Sequence, residues 1–272
     1  MPHTLRPLSL GQLLDQTFNI YRTNFLLFVG ISAIPTLALL ALQFGFSGIV
    51  SFDRKEVGLA TVITGLFALV ASAFVAALVT AATTLAVSDI YLDRPTTIMS
   101  CFSGVARKAP RVVFVSFIVG LIVGLGTLLC IIPGIYWAGV YGLAVPAAVL
   151  EDITGSQAIS RSKDLTQDSV GRIIVVYFLT TIFTIGMLLA LDAGLNLVGL
   201  AASSKMHNKQ VLDQVFTTVG RILFGPVTAI ALTLAYYDQR VRKEAFDIEH
   251  MMALMAAEGN AAPESIPPET SA

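Results

Sequence analysis

The sequence predicts an all-α polytopic membrane protein: six transmembrane helices arranged as three hairpins, each preceded by a cytoplasmic amphipathic helix. Three observations carry this. Apolar residues make up 55% of the chain and charged residues 13%, about half the roughly 25% of soluble domains. The uncharged stretches are long enough to cross a bilayer. The loops between them alternate between strongly and weakly basic. A soluble core of this size would need more polar surface than these residues provide.

Residues 1–24 are read as the first amphipathic helix. Leu10, Leu13, Leu14, Phe18 and Tyr21 recur at i, i+3, i+4, i+7 spacing, with Gln12, Asp15, Gln16, Asn19 and Arg22 opposite. Ser9 and Gln12 fit the S-x-x-Q capping box, in which each side chain satisfies a free backbone N–H of the other. Charge stops after Arg22 and returns only at Asp53. This predicts a helix lying on a membrane surface that feeds directly into a span.

The membrane domain is placed at residues 25–237. Its first span, 25–50, contains Pro35; Ser51 to Glu56 is a polar turn. The second span, 57–88, has about 48 Å of helix against a roughly 30 Å core, so it tilts or projects. Its alanines (Ala68, Ala71, Ala73, Ala76, Ala77, Ala81 and Ala82) suit close helix contact. Asp89 to Arg111 is polar, with an apolar stripe at Ile98, Cys101, Phe102 and Val105. Val112 to Leu150 carries no charge and would be about 58 Å long as one helix, nearly twice the core. Pro133-Gly134 is the expected break, giving spans at 112–132 and 135–150.

Glu151 to Arg172 is the third polar stretch. Thr154 and Gln157 repeat the capping-box spacing, and Ala158, Ile159 and Leu165 form a weaker stripe. The fifth and sixth spans fall at 173–191 and 215–237. Residues 238–257 are read as a second cytoplasmic amphipathic helix on Val241, Ala245, Ile248, Met252 and Met255. Residues 258–272 form a disordered tail by composition. The plan is roughly three copies of a surface helix followed by a hairpin.

Charge supports six crossings. They put Arg6, Arg22, Arg94, Arg107, Lys108, Arg111, Arg161, Lys163, Arg172, Arg240, Arg242 and Lys243 on one side, against Arg54, Lys55, Lys205 and Lys209 on the other. Five crossings would divide them evenly. The positive-inside bias therefore selects six spans with both termini cytoplasmic. The first apolar run starts too far into the chain, and is too long, for a cleavable signal peptide. Cys101 and Cys130 fall at opposite membrane faces and are not expected to pair.

Signs of chemistry are sparse. His3, His207 and His250 lie far apart in loops or termini, and no metal site, cofactor site or nucleophile with its base is expected. Gly45 to Gly48 departs from G-x-S-x-G at Ile49. Ser160 to Lys163 has S-x-x-K spacing without its companion motifs. Gly120 and Gly124 form a G-x-x-x-G that favours helix packing. With net charge −1 and dispersed basic residues, nucleic-acid binding is not expected. Asp192 and Arg221 are the most pointed residues, because an ionised group in a bilayer needs a partner, a cavity or a nearby surface. They fall at similar depth in the outer part of the membrane. Two readings stand: an interfacial aspartate with a snorkelling arginine, or an outer polar cavity that includes Asn196.

Three stretches together resemble a known family: RPLSLGQLLDQTFNIYRTNF, IIPGIYWAGVYGLAVPAAVLEDITGSQAISRSKDLT and AYYDQRVRKEAFDIE. They are similar to the bacterial membrane domain of glycerophosphoryl diester phosphodiesterase. Pro133 to Tyr136, the VPAAVLE run ending at Glu151, and Tyr236 through Glu249 are the most specific parts. Some members of that family join this region to a soluble barrel whose metal site and histidines cleave glycerophosphodiesters. The barrel has no expected counterpart here, so the resemblance implies the fold and the bacterial inner membrane but no catalytic residue.

The expectation is a non-enzymatic anchoring or accessory module. Its partners would be membrane lipids and a protein docking on the cytoplasmic face. The alternative is a small transporter or lipid-handling protein using Asp192, Asn196 and Arg221. A membrane-embedded enzyme is the weakest reading.

Overall fold

The computed structural model describes residues 7–50, 59–201 and 209–244, with side chains described for all of these except 46–50, 59–61, 195–201 and 209–212. The expected Ser51–Glu56 turn, all three histidines, the Asn196 side chain and residues 245–272 lie outside the described residues or side chains.

Among the described residues every regular element is helical: α1 (Leu10–Thr23), α2 (Phe25–Val50), α3 (Leu59–Tyr91), α4 (Ile98–Leu129), α5 (Ile131–Tyr141), α6 (Ala144–Leu150), α7 (Gly155–Thr166), α8 (Val170–Ala201) and α9 (Lys209–Glu244). Six segments are long and apolar enough to cross a membrane: Phe25–Gly45, Val62–Tyr91, Ile98–Leu129, Ile131–Leu150, Val170–Gly194 and Asp213–Glu244. The chain is a multi-pass membrane protein. α9 is the hub, packing against α1, α2, α3, α7 and α8. The core gathers toward one end, at Ala81, Val87, Val112, Leu143, Ala147, Leu165, Ile230 and Tyr236. That end also holds most of the described charge.

Three N-terminal caps organise this charged end. Ser9, Thr97 and Thr154 each accept from the backbone N–H three residues on, while the side chain there accepts from the cap's own N–H. The Ser9 and Thr154 boxes are read directly from sequence. The third uses Ser100, not Glu or Gln, so it escapes that pattern. Ahead of it, α3 closes through Asp93, whose φ of 53° sets up the Arg94 N–H to Asp89 carbonyl bond at 2.7 Å. This is a Schellman-type ending.

The expected break at Pro133-Gly134 falls three residues earlier, at Cys130. α4 ends at extended Cys130, and α5 carries Pro133 in its first turn. The fourth span is itself divided, with Leu143 before α6 and Pro146 in that first turn. A proline there gives up an N–H that has no helical partner anyway, so the chain breaks before the ring. The break after α5 exposes the Val140 carbonyl, and the Ser162 and Thr166 hydroxyls of α7 donate to it at 2.8 and 3.2 Å. By contrast, Pro35, Pro110 and Pro226 sit inside continuous helices. The expected second surface helix and third span are therefore one helix, α4. Neighbouring helices make such an interruption tolerable within a bundle.

Two further expectations are corrected. An added Cβ at Gly120 or Gly124 would meet nothing within 4 Å, so among the described residues the G-x-x-x-G packs closely against no helix. Close approach occurs instead at Gly134, where a Cβ would lie 2.7 Å from the Thr127 nitrogen and 2.8 Å from its Cα. Gly126 adds to this by facing the Trp137 ring. Gly134→Ala is expected to destabilise the protein by about 1–3 kcal/mol, because backbone must move. Gly124→Ala should stay within about 0.5 kcal/mol of wild type. Thermal unfolding in detergent compares them, and equal effects would contradict this packing.

α1 does not lie free on a surface. The Leu8 N–H donates to Asp238 Oδ1 at 2.7 Å, and the Tyr21 hydroxyl donates to the Leu223 carbonyl. These anchor points are about 22 Å apart along α9 and about 20 Å apart along α1. α1 therefore runs beside α9 in the opposite sense, burying Leu13, Thr17 and Ile20. Phe18 meets Phe183 edge-on at 5.1 Å. Burial raises the Tyr21 phenol above its ordinary value of 10.0, since the phenolate loses hydration. The folded value exceeds the unfolded one, so this contribution is complete below about pH 10 and is lost as pH rises through the folded value. Tyr21→Phe should shrink the alkaline loss of thermal stability; an unchanged alkaline slope would contradict it.

Candidate functional site

Asp192 lies on α8 and Arg221 on α9, both exposed. Asn196 belongs to α8, with its side chain outside those described. Their common depth is consistent with helix packing: an added Cβ on Gly220 would meet Leu188 and Leu191, one residue from each charge.

The principal polar assembly is at the opposite end of the bundle, around two carboxylates. Asp238, near the end of α9, is fully buried in its side chain. Its Oδ1 takes the Leu8 N–H. Its Oδ2 takes Arg172 from α8 and Arg242 from α9, each at 3.0 Å. The same two arginines donate to the Leu8 carbonyl, Arg242 at 2.7 Å. One aspartate and two guanidiniums thus hold both backbone groups of the residue before the Ser9 cap. Only the carboxylate is cut off from water, since Arg172 and Arg242 keep 20% and 38% side-chain exposure; two charge-assisted partners are what allow it to be buried.

Glu151 forms the second centre. It follows α6 and accepts from Arg161 Nε at 2.9 Å and from the Tyr236 hydroxyl at 2.7 Å. Arg161 continues to Glu244 at 2.5 Å, and Glu244 to Arg240 at 3.1 Å. Burial works against the Arg161 charge, but hydrogen bonds and charge from Glu151 and Glu244 outweigh it and raise its pKa. The resulting chain ties the end of α6 to α7 and α9.

A related use of arginine recurs at the Thr154 cap. Arg111 donates to the Ile153 carbonyl at 2.5 Å, and Ile153 immediately precedes the Thr154 cap. Leu8 stands in the same relation to Ser9. An arginine at the foot of one span therefore fixes the start of α7, and another, Arg172, fixes the start of α1. Lys108 adds a bond to the Val149 carbonyl at 2.5 Å. Lys243 reaches the Asp164 carbonyl at 2.8 Å and Asp168 at 3.1 Å.

Sequence reasoning missed Asp238 and Glu151 as centres. Each lies in a charged stretch that reads as solvated, and their partners are distant in the chain. Chemically, the Asp238 oxygens are filled by protein donors, so the arrangement serves as a clasp. Among the described residues no group of three His, Cys, Asp or Glu side chains is placed to hold a metal ion. Cys101 is buried and Cys130 exposed, both as free thiols. No family model, curated protein or solved structure matches this chain.

Proposed function

We propose that this protein is a non-enzymatic anchoring or accessory module of the bacterial inner membrane, with its charged end and both termini in the cytosol. It would be a relative of the membrane region of glycerophosphoryl diester phosphodiesterase. The observation that carries this reading is the clasp. Asp238 and Glu151 join α1, α7 and the end of α9 into one ordered platform. α7 turns Gln157, Ser160, Lys163 and Asp164 outward. A preorganised polar face of this kind suits recognition of a protein, because little side-chain ordering remains to be done on binding. The excess of basic residues at this end supports a cytosolic orientation.

The test is site-specific photocrosslinking in living cells, with a photoreactive residue replacing Ser160 on α7 and, as a comparison, Val175 on the apolar side of α8. The proposal expects a discrete protein adduct from position 160 that is absent from position 175. Absence of an adduct at 160, or the same adduct at both positions, would count against it.

A further inference from the structure

A cavity of about 360 Å³ lies between α3, α4, the α5–α6 unit, α8 and α9. Its volume falls in the range of small-ligand sites, roughly 300–1,000 Å³. Its depths include Ala77, Thr84, Ala138, Pro146 and Ala229, all buried. Its mouth is formed by Ala73 and Ala76 of α3 and Gly120 of α4, all exposed. α3 and α4 meet closely nearer the charged end, where Gly104 faces Leu85, and leave this gap further along. The neighbouring Phe74, Phe117 and Leu121 are exposed apolar residues on membrane-spanning helices. The opening thus lies on the lipid-facing flank.

The lining states what could enter. It has no acidic or basic side chain, and its walls are mainly alanine, glycine, valine and leucine. A charged headgroup would lose its hydration there without a partner. A hydrocarbon chain from the surrounding bilayer would lose nothing and would fill apolar space left by the small residues. Polar atoms are few. Thr84 is already bonded, to the Thr80 carbonyl at 2.9 Å. The Ser116 hydroxyl oxygen is buried and has no hydrogen-bond partner among the described residues, so it presents no polar atom to the cavity.

We propose that this cavity binds one long-chain acyl group of a bilayer phospholipid, admitted sideways between α3 and α4 at Gly120. The site is separate from the charged platform and does not depend on the accessory role. Gly120 is the sensitive position: a Cβ there meets nothing within 4 Å, so a side chain can be started at the mouth without a backbone clash. Gly124, one turn on, has the same freedom but does not line the cavity, and serves as its control.

The full chain would be reconstituted in phosphatidylethanolamine and phosphatidylglycerol vesicles containing a phospholipid with a diazirine in one acyl chain. After illumination, peptide mass spectrometry reads where label falls. A parallel arm uses a free diazirine fatty acid. Wild type is expected to concentrate label on Ala73–Thr84 and Ser116–Val123 above the exposed Leu128 and Leu129. Gly120→Phe should cut cavity labelling roughly tenfold, as expected when bulk excludes a ligand from an apolar pocket, and Gly124→Phe should leave it unchanged. Ala76→Phe closes the mouth from the other helix and should act like Gly120→Phe. Preferential labelling by the phospholipid supports the proposal as stated; labelling by the free fatty acid alone overturns its lipid source. No enrichment over Leu128 and Leu129, or equal losses in Gly120→Phe and Gly124→Phe, overturns the site itself.

Discussion

Asp238→Ala is expected to lower folding stability by about 3 kcal/mol, the low end for breaking a buried ion pair, because Arg172 and Arg242 keep 20% and 38% side-chain exposure. Its carboxylate has no exposed surface and engages Arg172, Arg242 and the Leu8 N–H. Removal leaves two guanidiniums facing each other and a backbone donor without its acceptor. The damage is not confined to α9, because the Leu8 contact fixes the start of α1. Asp238→Ala should therefore make α1 sensitive to protease at a concentration that spares wild type. Asp238→Asn is the informative companion. It retains an acceptor for Leu8 but not the charge that balances the arginines, so it should fall between wild type and alanine. Wild-type protection of α1 in Asp238→Ala would sink the clasp.

The physical difficulty of seeing this clasp in sequence explains what was legible and what was not. A bilayer sets a length near twenty apolar residues, so the spans announce themselves as uncharged runs. The Ser9 and Thr154 caps are local, depending on residues three apart, and are equally legible. Asp238 is not. Its contact with Leu8 crosses 230 residues, and Asp238 precedes an arginine-rich helix end of the kind usually exposed to water. Glu151 is hidden similarly, since Tyr236 lies 85 residues away.

The expected breaks and contacts failed for more local reasons. Pro133 does break the helical run, but the geometry favours proline inside the new first turn, so the chain turns at Cys130. Gly120 and Gly124 have the spacing of a packing motif, yet spacing alone does not say which face meets another helix. Gly134 supplies the close contact without that motif. α1 has the stripe of a surface helix, and nothing in a stripe distinguishes lipid from α9 as its cover.

Glu151→Ala should have the second-largest effect, about 2–3 kcal/mol, with the smaller figure reflecting partial exposure of the carboxylate. It removes the acceptor shared by Arg161 and Tyr236 at 2.9 and 2.7 Å. Tyr236→Phe should cost less, about 1.5 kcal/mol, because Glu151 keeps Arg161. The double variant should cost less than the two single effects together, since both remove the same hydrogen bond. Thermal or denaturant unfolding of the four proteins measures that coupling. Strict additivity would mean that Tyr236 and Glu151 contribute independently, contrary to the contact.

The orientation of the clasp is open to one direct measurement: labelling by a membrane-impermeant maleimide. Cys130 is replaced by serine, buried Cys101 is retained, and Ser160 on the exposed side of α7 becomes the reporter as Ser160→Cys. A bundle with its charged end in the cytosol predicts no labelling in intact spheroplasts and strong labelling once the membrane is permeabilised. Strong labelling of Ser160→Cys in intact spheroplasts, with the protein correctly inserted, would place the charged end outside and contradict the proposed orientation.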